Sequence, residues 1–441
     1  MSFLQYKRYK ESGVEWLGDV PEHWQVKAIK WTTPVFRGAS PRPIDDPAYF
    51  DDEGEYAWVR IADVTASNVY LEETTQRLSD IGSSLSVKMQ PGSLFLSIAG
   101  TVGMPCITNI KCCIHDGFVY FPRSKSDTKF MYYIFACGEP YKGLGKMGTQ
   151  LNLNTDTVGS IVMGFPPLPE QQAIAAFLDR ETSRIDSLIG KKKKLVELLA
   201  EQRTALISRA VTKGLDAGAK LKPSGVEWLG EVPEHWGVFP LKRIVAIPVT
   251  DGPHETPEIF DEGIPFVSAE AIRNNKIDFD RKRGFISESE HRRFCLKYHP
   301  KRNDIFMIKS GATTGNLAIV ETDEEFSIWS PLAVIRVHQE KALASFVLSA
   351  MNSKEFQTSV QLFWSFGTQQ NIGMNVIENL SIPLPPLPEQ QAIAAFLDRE
   401  TARIDTLVSK VEKAIDTLKE YRTALISAAV TGKIDVREAA V

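Results

Sequence analysis

Apolar residues recur at alternating steps of three and four along two long stretches of this chain. One series is Ile185, Leu188, Lys192, Leu195, Leu199, Gln202, Leu206; the other is Ile404, Leu407, Val411, Ala414, Leu418, Tyr421, Leu425. That spacing predicts two helices, each with one mostly apolar seam. Only Gly190 interrupts residues 170–211, and no Gly or Pro interrupts 389–430. At 1.5 Å per residue each helix is on the order of 60 Å long. Pro169 and Pro388 stop what precedes them, and Glu170 and Glu389 suit a first turn, where the helix dipole favours a carboxylate. Each helix could pack on its own domain, or the two seams could pack together. Their matching register favours a coiled coil, and a pseudo-two-fold relating the repeats would make it antiparallel.

Between these stretches the pattern changes. The runs at 56–62, 93–99, 264–268 and 304–309 are short, apolar and bounded by Gly or Pro, which predicts strands. A Gly-rich turn follows a strand twice, at 97–103 and 308–315. An α+β fold used twice is expected.

The chain is also duplicated in its letters. SGVEWLGDVPEHW at 12–24 returns with one change at 224–236, and PPLPEQQAIAAFLDRET at 166–182 returns unchanged at 385–401. The stretches at about 25–147 and 237–366 barely match. The frame should do one job twice and the inserts two versions of another. Four segments are expected: a first globular domain over 1–165, a helix over 166–213, a second globular domain over 214–384 and a helix over 385–434. The segment at 212–224 links the first helix to the second entry motif. The tail at 431–435 has the same character, so it should end near the first entry motif.

Composition then narrows the class. Apolar content of 43%, charged content of 24% and a net charge of −4 are those of an ordinary globular protein, not of a free-standing basic nucleic-acid binder. Five cysteines without a C-x-x-C pair predict free thiols and a cytoplasmic protein. The N-terminus carries no signal-peptide pattern, and no apolar run approaches a membrane span.

Catalytic signals are weak. The G-x-G-x-x-G at 143–148 lacks a preceding strand and a following apolar helix, so a dinucleotide reading fails. Cys106, Cys112, Cys113 and His115 fit no familiar zinc spacing, and small buried thiols explain them better. No P-loop, H-E-x-x-H, G-x-S-x-G or D/N-P-P-Y/F motif occurs. No catalytic residue and no metal ligand is expected in this chain.

Binding signals are stronger. Residues 281–302 hold eight Lys or Arg against Glu288 and Glu290, locally +6 in an acidic protein. This is either a solvated helix face or a phosphate-contacting surface, with Arg292, Arg293 and Lys297 as candidates. The polar loops at 148–154 and 367–373 carry Thr149, Gln150 and Asn152, and Thr368, Gln369 and Gln370. Such amides can pair with adenine edges, although an ordinary turn is the plainer reading. Lys146 and Lys309 lie next to these features. The loop DGPHETP at 251–257 offers His254 and Thr256. Its place in the first repeat is taken by RGASPRP at 37–43, which offers Arg37, Ser40 and Arg42.

The entry motifs, the D-G-x-H-x-T-P loop, the G-T-Q loops and the PPLPEQQAIAAFLDRET helices together resemble the specificity subunit of Type I restriction–modification enzymes. The resemblance covers essentially the whole chain, apart from the first-repeat loop that lacks D-G-x-H-x-T-P. It implies two target-recognition domains separated by two antiparallel helices, each domain reading half of a bipartite, asymmetric site on double-stranded DNA. It implies docking of two copies of the modification (methyltransferase) subunit, and restriction subunits added through the complex. Trp16, Trp24, Gln171, Phe177 and Arg180, and Trp228, Trp236, Gln390, Phe396 and Arg399, are the candidate partner contacts. S-adenosylmethionine, Mg²⁺ and ATP would belong to the partner subunits. An adaptor that pairs two identical enzymes without touching DNA is the rival reading. It leaves the differing polar loops unexplained.

Overall fold

The computed structural model of the chain describes residues 4–142, 144, 153–366 and 370–437. The chain divides into two compact units, residues 1–193 with 413–441, and residues 194–412. Both boundaries fall inside the long helices, Leu168–Lys213 and Leu387–Val430.

In the first unit a five-stranded sheet runs in the order Phe36–Arg37, Phe118–Tyr120, Leu94–Ser97, Pro105–Thr108, Tyr70–Leu71. A four-stranded sheet runs Gln76–Leu78, Tyr56–Val59, Cys112–Ile114, Val87–Met89. The second unit repeats this plan with fewer strands. Its sheets run Thr250–Asp251, Leu332–Ile335, Ile305–Ile308, Leu317–Ile319, and Gly284–Ile286, Ile264–Val267, Ser327–Ile328. The two middles therefore share one fold despite their different letters. One expected strand is shorter than its apolar run. Tyr56–Val59 ends before Arg60, where a helix begins over Ile61–Ala66, because the Asp63 side chain accepts the Arg60 amide at 2.8 Å and caps it.

Each long helix starts at the leucine of its Pro-Pro-Leu-Pro run, with the last Pro inside the first turn, where a missing amide costs nothing. In the first unit, Ile174 and Ile185 of one helix share a core with Leu425, Ile426, Ala429 and Val430 of the other. In the second unit, Ile207, Ala210 and Val211 share a core with Ile393 and Leu397. Early residues of one helix meet late residues of the other in both units, so the helices run antiparallel. Equivalent ion pairs mark the seam. Arg422 grips Asp186 with two bonds of 3.0 and 3.2 Å, and Arg203 lies 3.3 Å from Asp405.

The seam corrects the expected one. Ile185, Leu199, Ile404 and Leu425 are buried and Leu206, Val411 and Leu418 are partly so, but Leu188, Leu195, Leu407 and Tyr421 are exposed. The inward residues between them are Ile189, Val196, Val408 and Ile415, one position later. Steps of four precede steps of three, the reverse of the expected order. The apolar stripe is wide enough to supply either neighbour, so spacing alone did not choose.

The helices end in the same way. Gly214 and Gly432 have φ of +74° and +72°, the left-handed conformation that closes a helix. Each lies under an entry tryptophan: a Cβ would stand 3.2 Å from the Trp236 ring in one case, and 2.4 Å from Pro21 and 3.2 Å from Trp24 in the other. The tail then meets the first entry segment as expected, with the Asp435 amide donating to the Leu4 carbonyl at 2.7 Å.

Candidate nucleic-acid interface

The repeated letters of the frame first explain themselves within each unit. Glu170 is 6% exposed and gathers the entry segment: Tyr6 OH at 2.8 Å, His23 Nε2 at 2.7 Å and Trp24 Nε1 at 2.9 Å. Its neighbour Gln171 accepts the Asp127 amide at 2.9 Å and donates to the Pro166 carbonyl at 2.9 Å. Asp127 caps the helix Thr128–Ala136, so one Glu-Gln pair ties entry, hinge and recognition fold together. In the second unit Gln390 does the same, accepting from Leu343 at 2.8 Å and donating to Pro385 at 2.8 Å. Glu389 holds His235 at 2.8 Å, but Trp236 Nε1 has no partner.

This corrects part of the expected partner surface. Trp24, Trp236, Gln171, Gln390 and Phe177 are buried in their own units, where the chain itself uses them. Trp16, Trp228 and Phe396 are half-buried. Arg180 and Arg399 stay exposed, with guanidinium groups 5.6 and 5.5 Å from the Phe177 and Phe396 ring centres.

The loops at 37–43 and 251–257 occupy the same place in the two sheets. Strand register pairs Arg37 with Val119 and Asp251 with Ala333. The glycine after each lies against backbone, with a Cβ on Gly38 falling 2.1 Å from the His115 carbonyl oxygen and one on Gly252 falling 2.2 Å from that of Ile328. Only glycine permits that approach. The charges around it are reversed. In the first unit the carboxylate is Asp116, reached by Ser40 Oγ at 2.9 Å and Arg42 Nη2 at 2.9 Å, while Arg37 Nε donates to its backbone carbonyl. In the second, the loop supplies the carboxylate. Asp251 is 1% exposed and lies 2.5 Å from Lys297 Nζ, 3.1 Å from Lys309 Nζ and 3.1 Å from His254 Nε2. Burial pushes both carboxyls up. For Asp116 the hydrogen bond from Ser40 and the charges of Arg42 and Arg37 outweigh it, and for Asp251 Lys297 and Lys309 do, so both lie below the usual carboxylate range.

In the second unit the Gly-rich turn joins this site. The Gly311 amide donates to the Gln370 carbonyl at 3.0 Å, and the Ile372 amide donates to Lys309 at 2.8 Å. The loop 251–257, the turn 308–315 and the hairpin Ser365–Phe366 with Gln370–Asn371 thus come together. Gln370, His254 and Thr256 are exposed there. Lys146, Thr149, Gln150, Asn152, Thr368 and Gln369 lie outside the described residues.

The basic stretch is less positive than its letters. Arg281 pairs with Asp278, Arg292 with Glu288, Arg293 with Glu255 and Glu290, Lys297 with Asp251 and Arg302 with Asp323. Lys282 and Arg283 lie over the rings of Phe285 and Trp329. Acids outside the stretch answer most of its charge. Lys297 and Lys309 hold the loop in place through Asp251, so Lys297 is not the free phosphate contact its sequence suggests. Asp116 went unnoticed in the sequence, where an isolated acid beside a Cys/His cluster gives no signal.

A duplicated α+β recognition fold on antiparallel helices, with paired polar loops, defines a class of DNA-specificity protein. The chain belongs to the Type I restriction modification DNA specificity domain family, whose model matches twice, at residues 21–198 and 233–416. It is 23% identical over 464 residues to a putative type I restriction enzyme MjaX specificity subunit of Methanocaldococcus jannaschii, covering 99% of each chain. Over 214 residues it is 26% identical to the EcoKI specificity subunit of Escherichia coli K12, covering 46% of this chain and 44% of that one. Among solved structures, a chain from work on assembly and conformational transition of the type I R-M system gives a TM-score of 0.71 at 15% identity, covering 93% of this chain and 98% of that one. The HsdS subunit from Thermoanaerobacter tengcongensis gives 0.51 at 15% identity, with 94% and 98% covered. At such identity these structures speak for the fold alone. Among the described residues no helix is long and apolar enough to cross a membrane.

Proposed function

We propose that the chain reads a bipartite, asymmetric DNA site, one half with each unit, and carries two modification subunits to it without catalysing any step itself. The reversed clamp supports this most directly. One fold holds Arg37, Ser40 and Arg42 on a carboxylate in one unit, and His254 with two lysines on a carboxylate in the other. Different side chains on the same scaffold read different base edges. A pure adaptor would need no such difference. The frame, by contrast, occurs twice, which suits two copies of one partner, with exposed Arg180 and Arg399 as contact candidates. S-adenosylmethionine, Mg²⁺ and ATP belong to the partner subunits in this reading, and the complex works in the cytoplasm.

Co-expression with its modification subunit, followed by genome-wide mapping of methylated bases, tests the proposal. Two unlike half-sites at a fixed spacing are expected. Methylation without sequence preference would leave the adaptor standing instead. The purified chain alone should show no methyltransferase, nuclease or ATPase turnover.

A further inference from the structure

Beside the clamp of the first unit lies a groove of about 560 Å³ whose lining includes Phe50, Trp58, His115, Gln76, Arg60 and Asp45. That is the size of a small-molecule site. Three rings line it, those of Phe50, Trp58 and His115, and the Trp58 and His115 ring centres stand 5.9 Å apart. Its polar groups are mostly donors. His115 Nδ1 accepts the Gly117 amide at 2.8 Å, which puts the proton of a neutral ring on Nε2. Arg60 occupies the Gln76 carbonyl oxygen and leaves the amide NH₂ as a donor. Asp45 is the one carboxylate of the lining.

The second unit fills the same place with its own side chains. Strand register puts Phe266 where Trp58 stands and Gly284 where Gln76 stands. Trp329 follows the strand Ser327–Ile328 as His115 follows Cys112–Ile114. The Arg283 guanidinium stacks on Trp329 at 4.0 Å, and Ile259 lies where a side chain on residue 284 would go. The equivalent place in the second unit is thus occupied by its own side chains, so the groove is not a feature of the shared fold.

We propose that this groove captures one unpaired nucleobase of the bound DNA. Inside a duplex a base shows only its edges, because its faces are stacked on neighbours. Ring walls recognise a face, and only a base out of the stack presents one. Extruded bases are held by stacking on rings and by hydrogen bonds to the pairing edge. A lining of several donors and one carboxylate suits thymine, with two carbonyls and an N–H, better than adenine, whose edge has no carbonyl. The proposal rests on the reading of the chain as a DNA-specificity subunit.

The test uses the full chain without partner subunits, so that no methyltransferase pocket can take the base. Fluorescence anisotropy is read on target duplexes in which each thymine of the half-site read by the first unit is mispaired in turn. At one position affinity should rise at least about fivefold, because a mispaired base is cheaper to extrude. Gln76→Ala and Phe50→Ala should each remove that gain. Absence of a gain at every position, or its persistence in both variants, would overturn the proposal. A chain that prefers its target yet shows no gain loses the base capture alone. A chain with no preference for target over scrambled duplex loses the underlying reading as well.

Discussion

The two units place opposite charges at the same point of the same fold. In the first, the carboxylate follows a central strand and the loop brings arginines to it. In the second, the loop brings the carboxylate and lysines come to it from elsewhere. Gly38 and Gly252 preserve the backbone approach in both, so the loop path is held while its polarity is free to change. A scaffold built this way can change what it presents without changing how it folds. The frame shows a second difference: Glu170 gathers Tyr6, His23 and Trp24, whereas Glu389 holds His235 and leaves Trp236 Nε1 without a partner.

That second difference gives the largest expected effect. Glu170→Ala strands buried donors and should cost about 3–5 kcal/mol, the range for breaking a buried pair. Glu389→Ala should cost about 1 kcal/mol, one hydrogen bond. Denaturant unfolding of the two variants should differ by that margin, and equal losses would mean that the two frames are equivalent. Next comes the seam. Leu199→Glu buries a charge among apolar neighbours and should cost about 3 kcal/mol or more. Leu195→Glu, at a position 43% exposed, should stay within about 0.5 kcal/mol. The reverse order in thermal melts would restore the seam expected from spacing.

The clamps come third. Asp251→Asn removes a buried charge that faces two lysines and should cost about 2–3 kcal/mol. Arg42→Ala, at an exposed pair, should cost less than about 1 kcal/mol. Acid sharpens the same contrast. Both carboxyls are held below their ordinary value, so their contribution is complete above about pH 4 and is lost as pH falls further. Burial lowers the His115 pKa, so its contribution is complete above about pH 6.5 and drains below it. Melting temperature followed across this range should fall with pH, and Asp251→Asn should lose part of the lower step.

Much of this was legible in the letters. Long helices announce themselves by period and by the absence of breakers, and the duplicated motifs gave the order of segments. The choice between Leu195 and Val196 was not legible, because both are apolar and only the partner helix selects one. The role of Gln171 and Gln390 was hidden for another reason. A repeated surface-type residue suggests a partner contact, yet here it satisfies backbone groups of its own unit. The basic stretch misled because the acids answering it, such as Asp251, Glu255 and Asp323, lie outside it in sequence.

Division of specificity between the units is the central claim, and one exchange tests it directly. Residues 237–366 are replaced by the corresponding middle of a relative with a different target, and methylated sites are mapped in cells that carry the modification subunit. The account predicts that one half of the recognition site changes to the donor's sequence while the other half stays as it was. A map in which both halves shift together would contradict it.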